Sequence, residues 1–404
     1  MNPTPAEQFS VHDGSAAEVF GAFLKLGLTS FGGPIAHLGY FRDELVTRRR
    51  WLDDDAYADL VALCQFLPGP ASSQLGFALG LMRAGWRGAL AAFTAFTLPS
   101  ALLLLGFALV ARRIDSAIWD GLLSGLKIVA VAIVAQAVWG MSRSLCPDRP
   151  RAAIAIGAVV ALAALPGAAG MIGAIGIGAL AGLALPLAGD SPRGLHLRLP
   201  VRRAQAVIAA ALFLGLLGLL PLLTGAGQAF ALLDGFYRAG ALVFGGGHVV
   251  LPLLQAETVA TGWVSPDSFL AGYGAAQAVP GPLFTFAAYL GAVLEPKPNG
   301  LAGAALALAA LFLPGFLLLI AALPLWDRLR RMRPARAAMS GANAAVVGIL
   351  GAALYDPVFT GAIHSRADFA LALICAAFLM IWRAPPWSVV LLAALGGAGL
   401  RLAV

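Results

Sequence analysis

The sequence predicts an all-α polytopic membrane protein. Two inverted-topology repeats of about six helical segments each are joined by one linking helix, with helices broken by proline and glycine near the bilayer midplane. Three observations predict this. Of 404 residues, 60% are hydrophobic and only 12% charged, where a soluble domain has roughly half and a quarter, so lipid must be the surrounding solvent. Motifs of the first half recur in the same order in the second. Glycine and proline clusters interrupt the apolar runs at matched places.

Residues 1–16 are polar and read as a cytoplasmic tail, without the basic start and apolar core of a cleaved signal. The first repeat, 17–190, holds apolar spans Ala17–Tyr40, Ala56–Met82, Gly88–Ala111 and Gly121–Met141, then a long stretch, Ala152–Gly189, interrupted at Pro166-Gly167. Residues 191–226 form a basic loop, with Arg193, Arg198, Arg202 and Arg203, and the linking span Ala204–Thr224. The second repeat, 227–404, holds Ala229–Leu254, Ser268–Leu294, Leu301–Leu325 and Ala335–Tyr355, then Asp368–Val404, broken at Pro385-Pro386. About twenty apolar residues rising 1.5 Å each cross a hydrocarbon core of about 30 Å. Every span except the halves of the two broken stretches is expected to do so.

The repeat is carried by residues. Phe31-Gly32-Gly33 matches Phe244-Gly245-Gly246, Glu44 matches Glu257, and Trp51 and Asp55 match Trp263 and Asp267. Gln65-x-x-Pro68-Gly69-Pro70 matches Gln277-x-x-Pro280-Gly281-Pro282, and Ser124-Gly125 matches Ser340-Gly341. Six segments plus one linking span is an odd number, so the second repeat enters from the opposite face. With the N-terminus inside, most arginine clusters fall inside, as the positive-inside rule requires. The loop with Arg42 and Arg48–Arg50 is the misfit. The same rule accounts for the net charge of +7, so no nucleic-acid partner is expected. Cys64, Cys146 and Cys375 lie too far apart for a metal pair, and neither a metal nor a cofactor is expected.

Several residues in the spans suit an anion. Lys25 and Arg238 are repeat equivalents inside the first span of each half, and Lys127 lies in the fourth span of the first, where its equivalent is Asn343. A cation at mid-bilayer costs about 2.5–3.5 kcal/mol on insertion scales, and matched placement suggests a use. The bland alternatives are snorkelling and pairing with Glu18 or Asp234. Lys25 and Arg238 are expected to lie close together, where an empty site would hold two repelling charges and resist reorientation. Gly32, Gly33 and Pro34, and Gly245, Gly246, Gly247 and His248, should break their helices and free N–H groups for an anion. Close helix packing is the alternative. Gln65, Pro68, Gly69 and Pro70, with Gln277, Pro280, Gly281 and Pro282, place non-helical backbone at membrane depth, where it must line a cavity or be buried in protein. A simple kink is the alternative. Glu44 and Glu257 read as loop residues, with proton coupling as their functional role. His37 reads as structural.

Phe31-Gly32-Gly33-Pro34, Trp51 and Gln65-x-x-Pro68-Gly69-Pro70 resemble the signature of the chromate ion transporter family. The second set, Phe244 to His248 and Pro280-Gly281-Pro282, is similar to the second domain of its long bacterial members. The resemblance implies a multi-pass inner-membrane carrier that exports chromate and confers chromate resistance, with sulfate as the competing oxyanion. A carrier of sulfate or another divalent anion is the alternative. Partners implied are the oxyanion and the lipid bilayer, and a homodimer is compatible. No phosphate-binding P-loop motif is present, so an ion gradient or an exchanged anion must supply the energy. The sequence has neither an H-E-x-x-H motif nor a paired acid site, and no enzyme activity is expected.

Overall fold

The computed structural model describes residues 14–111, 114, 116–186 and 200–402. Residues 1–13 of the expected tail, Arg112, Arg113 and most of the basic loop lie outside the described residues. Among the described residues, every regular element is a helix. In chain order the α-helices are α1 Ala16–Thr29, α2 Gly33–Phe41, α3 Asp54–Phe66, α4 Ala71–Ala111, α5 Ala117–Leu145, α6 Arg149–Ala164, α7 Ala168–Leu183 and α8 Arg203–Leu223. The second half gives α9 Gln228–Ala241, α10 Val250–Thr258, α11 Pro266–Ala276, α12 Phe286–Val293, α13 Gly300–Ala322, α14 Trp326–Leu329, α15 Arg333–Ala353, α16 Thr360–Ala362, α17 Arg366–Met380 and α18 Pro386–Leu402.

Among the described residues, five helical stretches are long and apolar enough to cross a bilayer: 71–111, 117–145, 203–226, 300–329 and 333–362. The shorter spans are divided at the glycine and proline clusters where the sequence predicts breaks. The first span of each half splits into two short helices, α1 with α2 and α9 with α10, at the glycine clusters. The second span splits at the Pro-Gly-Pro triplets, into α3 and α4 in one half and α11 and α12 in the other. Proline removes the backbone donor and clashes with the preceding turn, so neither triplet continues a helix. Helix α4 is itself interrupted at Ala84 and Gly85, where Gly85 has φ +61°. There the chain folds back, and Gly80 and Gly88 bring their backbones into contact. In the second half Gly291 and Gly303 do the same between α12 and α13. The interruptions at Pro166-Gly167 and Pro385-Pro386 separate α6 from α7 and α17 from α18, as expected.

The two halves pack by matched contacts. Gly27 of α1 lies against the Ala95 and Phe96 backbone of α4, and its equivalent Gly240 of α9 lies against the Leu311 backbone of α13. Between halves the contacts are reciprocal. Gly121 and Gly125 of α5 meet Ala393 and Gly397 of α18, while Gly341 of α15 meets Gly178 and Gly182 of α7. Each half thus grips the other's long helix with its own terminal hairpin. In such an exchange i meets j′ and i′ meets j, the reciprocal pattern of an isologous contact. Small residues allow this approach, and in lipid close packing rather than the hydrophobic effect drives helix association. The linking helix α8 packs on α9 and α13 from outside. Its Val207, Leu214 and Leu222 are 64–79% exposed, a surface suited to acyl chains and not to water.

Candidate functional site

The backbone breaks of the two halves come together in the interior. Val243 ends the run after α9, and its carbonyl accepts from the Gly69 N–H at 2.8 Å. The Ser30 carbonyl, at the end of α1, accepts from the Gly281 N–H at 2.9 Å. Ser30 and Val243 are repeat equivalents, as are Gly69 and Gly281, so these bonds are one contact made twice. Gly69 and Gly281 have φ +122° and +99°, conformations open to glycine at little cost. A methyl on Gly69 would come within 3.0 Å of Gly315 Cα, and one on Gly281 within 2.9 Å of Ser100 Oγ. Pro70 also packs on Gly315. Gln74 Nε2 donates to the Pro68 carbonyl at 3.0 Å and the Gly315 carbonyl at 2.8 Å, pinning the first triplet to α13 of the other half. In the second triplet the Pro282 carbonyl accepts from Thr285 Oγ1 at 2.7 Å, and Pro280 is buried. Gln65 is exposed at the end of α3, whereas Gln277 is half-buried and its Nε2 has no partner.

The glycine clusters meet each other. Gly32 and Gly33 have φ +97° and +79°, Gly245 and Gly246 +76° and +140°. A methyl on Gly247 would come within 3.1 Å of Pro34, its repeat equivalent. A residue touching its own equivalent lies on the axis between the halves. His248 Nε2 would come within 4.0 Å of a methyl on Gly33, and His248 Nδ1 lies 2.7 Å from the Tyr273 hydroxyl. Asn343 stands beside Gly245 with its Oδ1 unpartnered.

The cations are held by carboxylates. Lys25 Nζ donates to Glu44 at 2.6 Å, and Arg238 donates to both Glu257 oxygens at 2.8 and 3.1 Å. These pairs join repeat equivalents to repeat equivalents. Glu44 also accepts from Arg48 at 3.0 Å and Arg49 at 2.9 Å, and Arg238 also meets Asp234 at 3.2 Å. Lys127 pairs with Asp267 of the other half at 2.9 Å. The repulsion expected of an empty site is therefore removed, because each cation carries its own counter-charge. Glu44 and Glu257 are not solvated loop residues. Glu44 lies in a π-helical continuation of α2 and Glu257 in α10, and both are buried.

Sequence reasoning missed the buried pair of Asp59 on α3 with Arg330, 3.2 Å apart and joined by Trp326 Nε1 at 3.1 Å. The sequence signal was an acid inside an apolar run. It also missed Ser30, Ser73 and Thr97, hydroxyls without a partner in the interior.

A cavity of about 610 Å³ lies between α5, α11, α12, α17 and α18, lined among others by Ser124, Lys127, Asp267 and Ser268. The Lys127–Asp267 pair stands in its lining, and nearby Gly274 of α11 touches the Leu126 backbone of α5. The equivalent elements on the other face are α3 and α15. Among the described residues they have no comparable packing.

Broken helices meeting between two related halves of a lipid-embedded bundle define a membrane transport protein of the internal-repeat type. The profile described as "Chromate transporter" matches residues 17–183 and again 230–398. The chain belongs to the chromate transporter family. It is 30% identical over 350 residues to the chromate transport protein of Pseudomonas aeruginosa, covering 85% of this chain and 81% of that one. It is 28% identical to the chromate transport protein of Cupriavidus metallidurans, covering 82% and 80%. It is 27% identical to a probable chromate transport protein of Synechococcus elongatus, covering 93% of each. No solved structure matches it.

Proposed function

We propose that the chain is a secondary carrier that moves chromate out of the bacterial cytoplasm across the inner membrane, with sulfate competing for the same site. The observation that supports this best is the doubled backbone contact, Gly69 to Val243 and Gly281 to Ser30. It brings broken helix ends of both halves into the interior, where the first-turn amides of the helices that follow suit an anion. In this reading residues 17–190 and 227–404 are two repeats of opposite orientation, joined by 191–226, with the two-fold axis in the membrane plane.

The substrate site lies among Gly32–Pro34, Gly245–His248 and the Pro-Gly-Pro triplets, with Lys25, Arg238, Lys127 and Asn343 around it. Desolvating a dianion requires compensating positive charge. Lys25 and Arg238 supply it when their hold on Glu44 and Glu257 loosens, which makes those acids the natural place for coupling to protons. Lys127 acts as a latch as well as a charge. Its pair with Asp267 closes one face while α3 stands away from α15 on the other, an asymmetry of the kind alternating access needs.

The test is uptake of labelled chromate and sulfate into vesicles reconstituted with the purified chain, with and without a proton gradient or internal sulfate. Saturable chromate flux, inhibited by sulfate and stimulated by one of these conditions, is expected. Flux equal to protein-free vesicles for both anions would overturn the reading.

A further inference from the structure

The two halves differ chemically where the Pro-Gly-Pro turn of one meets the first helix of the other. Around Gly281 the first half supplies Ser30, His37, Ser72, Ser73, Thr97 and Ser100. The repeat equivalents, around Gly69, are Val243, Val250, Phe284, Thr285, Phe312 and Gly315. The residues facing Gly281 are therefore polar and those facing Gly69 mostly apolar, and the polar group beside Gly69 is Gln74 of its own half, whose Nε2 is taken by the Pro68 and Gly315 carbonyls.

Several contacts tie Ser30, His37, Ser72, Thr97 and Ser100 together, and Ser73 follows Ser72 in the first turn of α4. Gly281 donates its N–H to the Ser30 carbonyl and approaches Ser100 Oγ and the Phe96 carbonyl. Ser100 Oγ donates to the Thr97 carbonyl at 3.1 Å. The His37 ring stands edge-on to Phe96, centroids 5.4 Å apart, with its Nδ1 3.3 Å from Ser72 Oγ. The imidazole also meets the Ser30 backbone.

All six polar residues are at most 3% exposed, yet Ser30 Oγ, Ser73 Oγ and Thr97 Oγ1 have no protein partner. The equivalent Thr285 hydroxyl is satisfied by the Pro282 carbonyl. Buried polar groups are nearly always answered by something, and three unanswered hydroxyls in one patch point to a ligand. The chemistry of the patch selects its sign. Hydroxyls donate, no carboxylate belongs to the patch, and Ser72 and Ser73 sit in the first turn of α4, whose amides lack intrahelical acceptors. A helix start favours negative charge.

We propose that this patch is the uncharged part of the oxyanion site. Ser30, Ser73 and Thr97 donate to the oxygens of a tetrahedral dianion, and the apolar wall of Val243, Phe284 and Phe312 prevents a second from binding at the twin position. The carrier then holds one anion per cycle despite its two repeats. This rests on the oxyanion reading above.

The experiment is equilibrium binding of labelled chromate, and of sulfate, to the purified full-length chain in detergent. Melting of the ligand-free protein is measured alongside. Thr97→Val and Ser73→Ala, which change shape little, are each expected to weaken chromate binding roughly tenfold or more, the loss of a hydrogen bond to a charged group. Their ligand-free melting should be unchanged. Thr97→Ser, which keeps the hydroxyl and folds if Thr97→Val does not, should bind as the parent does. The parent should bind one anion per chain. Parental affinity in both Thr97→Val and Ser73→Ala, or two equivalent anions per chain, would overturn the patch while leaving the oxyanion reading intact. Failure of the parent to bind either anion would overturn both.

Discussion

Arg238 and Lys25 stand at equivalent positions but depend on their carboxylates to different degrees. Glu44 is shared among Lys25, Arg48 and Arg49, so removing Lys25 leaves two cations on the acid. Lys25 is also 45% exposed in its side chain, where an ion pair contributes at most about 1 kcal/mol. Arg238 is 30% exposed and takes Glu257 through both oxygens, with Asp234 as its second partner. Arg238→Ala strips the two buried acids of that guanidinium, and breaking a buried pair costs about 3–5 kcal/mol. Lys25→Ala should therefore lower stability by less than about 1 kcal/mol and Arg238→Ala by about 2–3 kcal/mol, discounted for partial exposure. Unfolding in detergent, followed by tryptophan fluorescence, reads the difference. Equal losses would show that the two cations are held alike. Both variants should also impair chromate uptake, and Arg238→Lys should lose the paired hydrogen bonds that only a planar fork makes.

At the level of the helices, the reciprocal grips make a prediction that ordinary helix packing does not. Gly125 and Gly341 each bring their helix backbone onto that of the other half, whereas Gly106, Gly157 and Gly173 face open space. Gly125→Val and Gly341→Val should each cause a large loss of folded protein and to a similar degree, since overpacking costs about 1–3 kcal/mol and here backbone must move. Gly106→Val should be tolerated. Yield of monodisperse protein and its melting temperature measure this, and a benign Gly125→Val would sink the proposed equivalence. These glycines were visible in the sequence only as a matched Ser-Gly pair, Ser124-Gly125 and Ser340-Gly341. What was legible was the local backbone chemistry: Pro68–Pro70, Pro280–Pro282, Pro166-Gly167 and Pro385-Pro386 all end helices, because proline and glycine act through their own dihedrals. What was not legible was long-range. Asp267 and Lys127 are 140 residues apart in the chain, and no periodicity brings them together. The same holds for Asp59 with Arg330.

Across the whole molecule, the equivalent contacts are unequal in one place. Helix α11 packs on α5 beside the cavity, while α3 and α15 have no comparable packing among the described residues. If the halves exchange roles during transport, the second contact forms as the first opens. Spin labels on Ser124 and Ser268, both lining the cavity, should report a short distance in this state. Labels on Ser340 and Asp55, the matching face, should report a longer one. Under an imposed chromate gradient the first distance should lengthen as the second shortens, and changes of the same sign in both would contradict the exchange. The grip of α18 on α5 also bears on how the protein is made. Chains emerge from the ribosome N-terminus first, so α5 enters the bilayer with its glycine face bare, long before α18 exists to cover it. Helix α15, by contrast, finds α7 already in place. During that interval the only α18 within reach belongs to another, completed copy, and nascent chains crowded together are exposed to capturing a neighbour's C-terminal hairpin in place of their own.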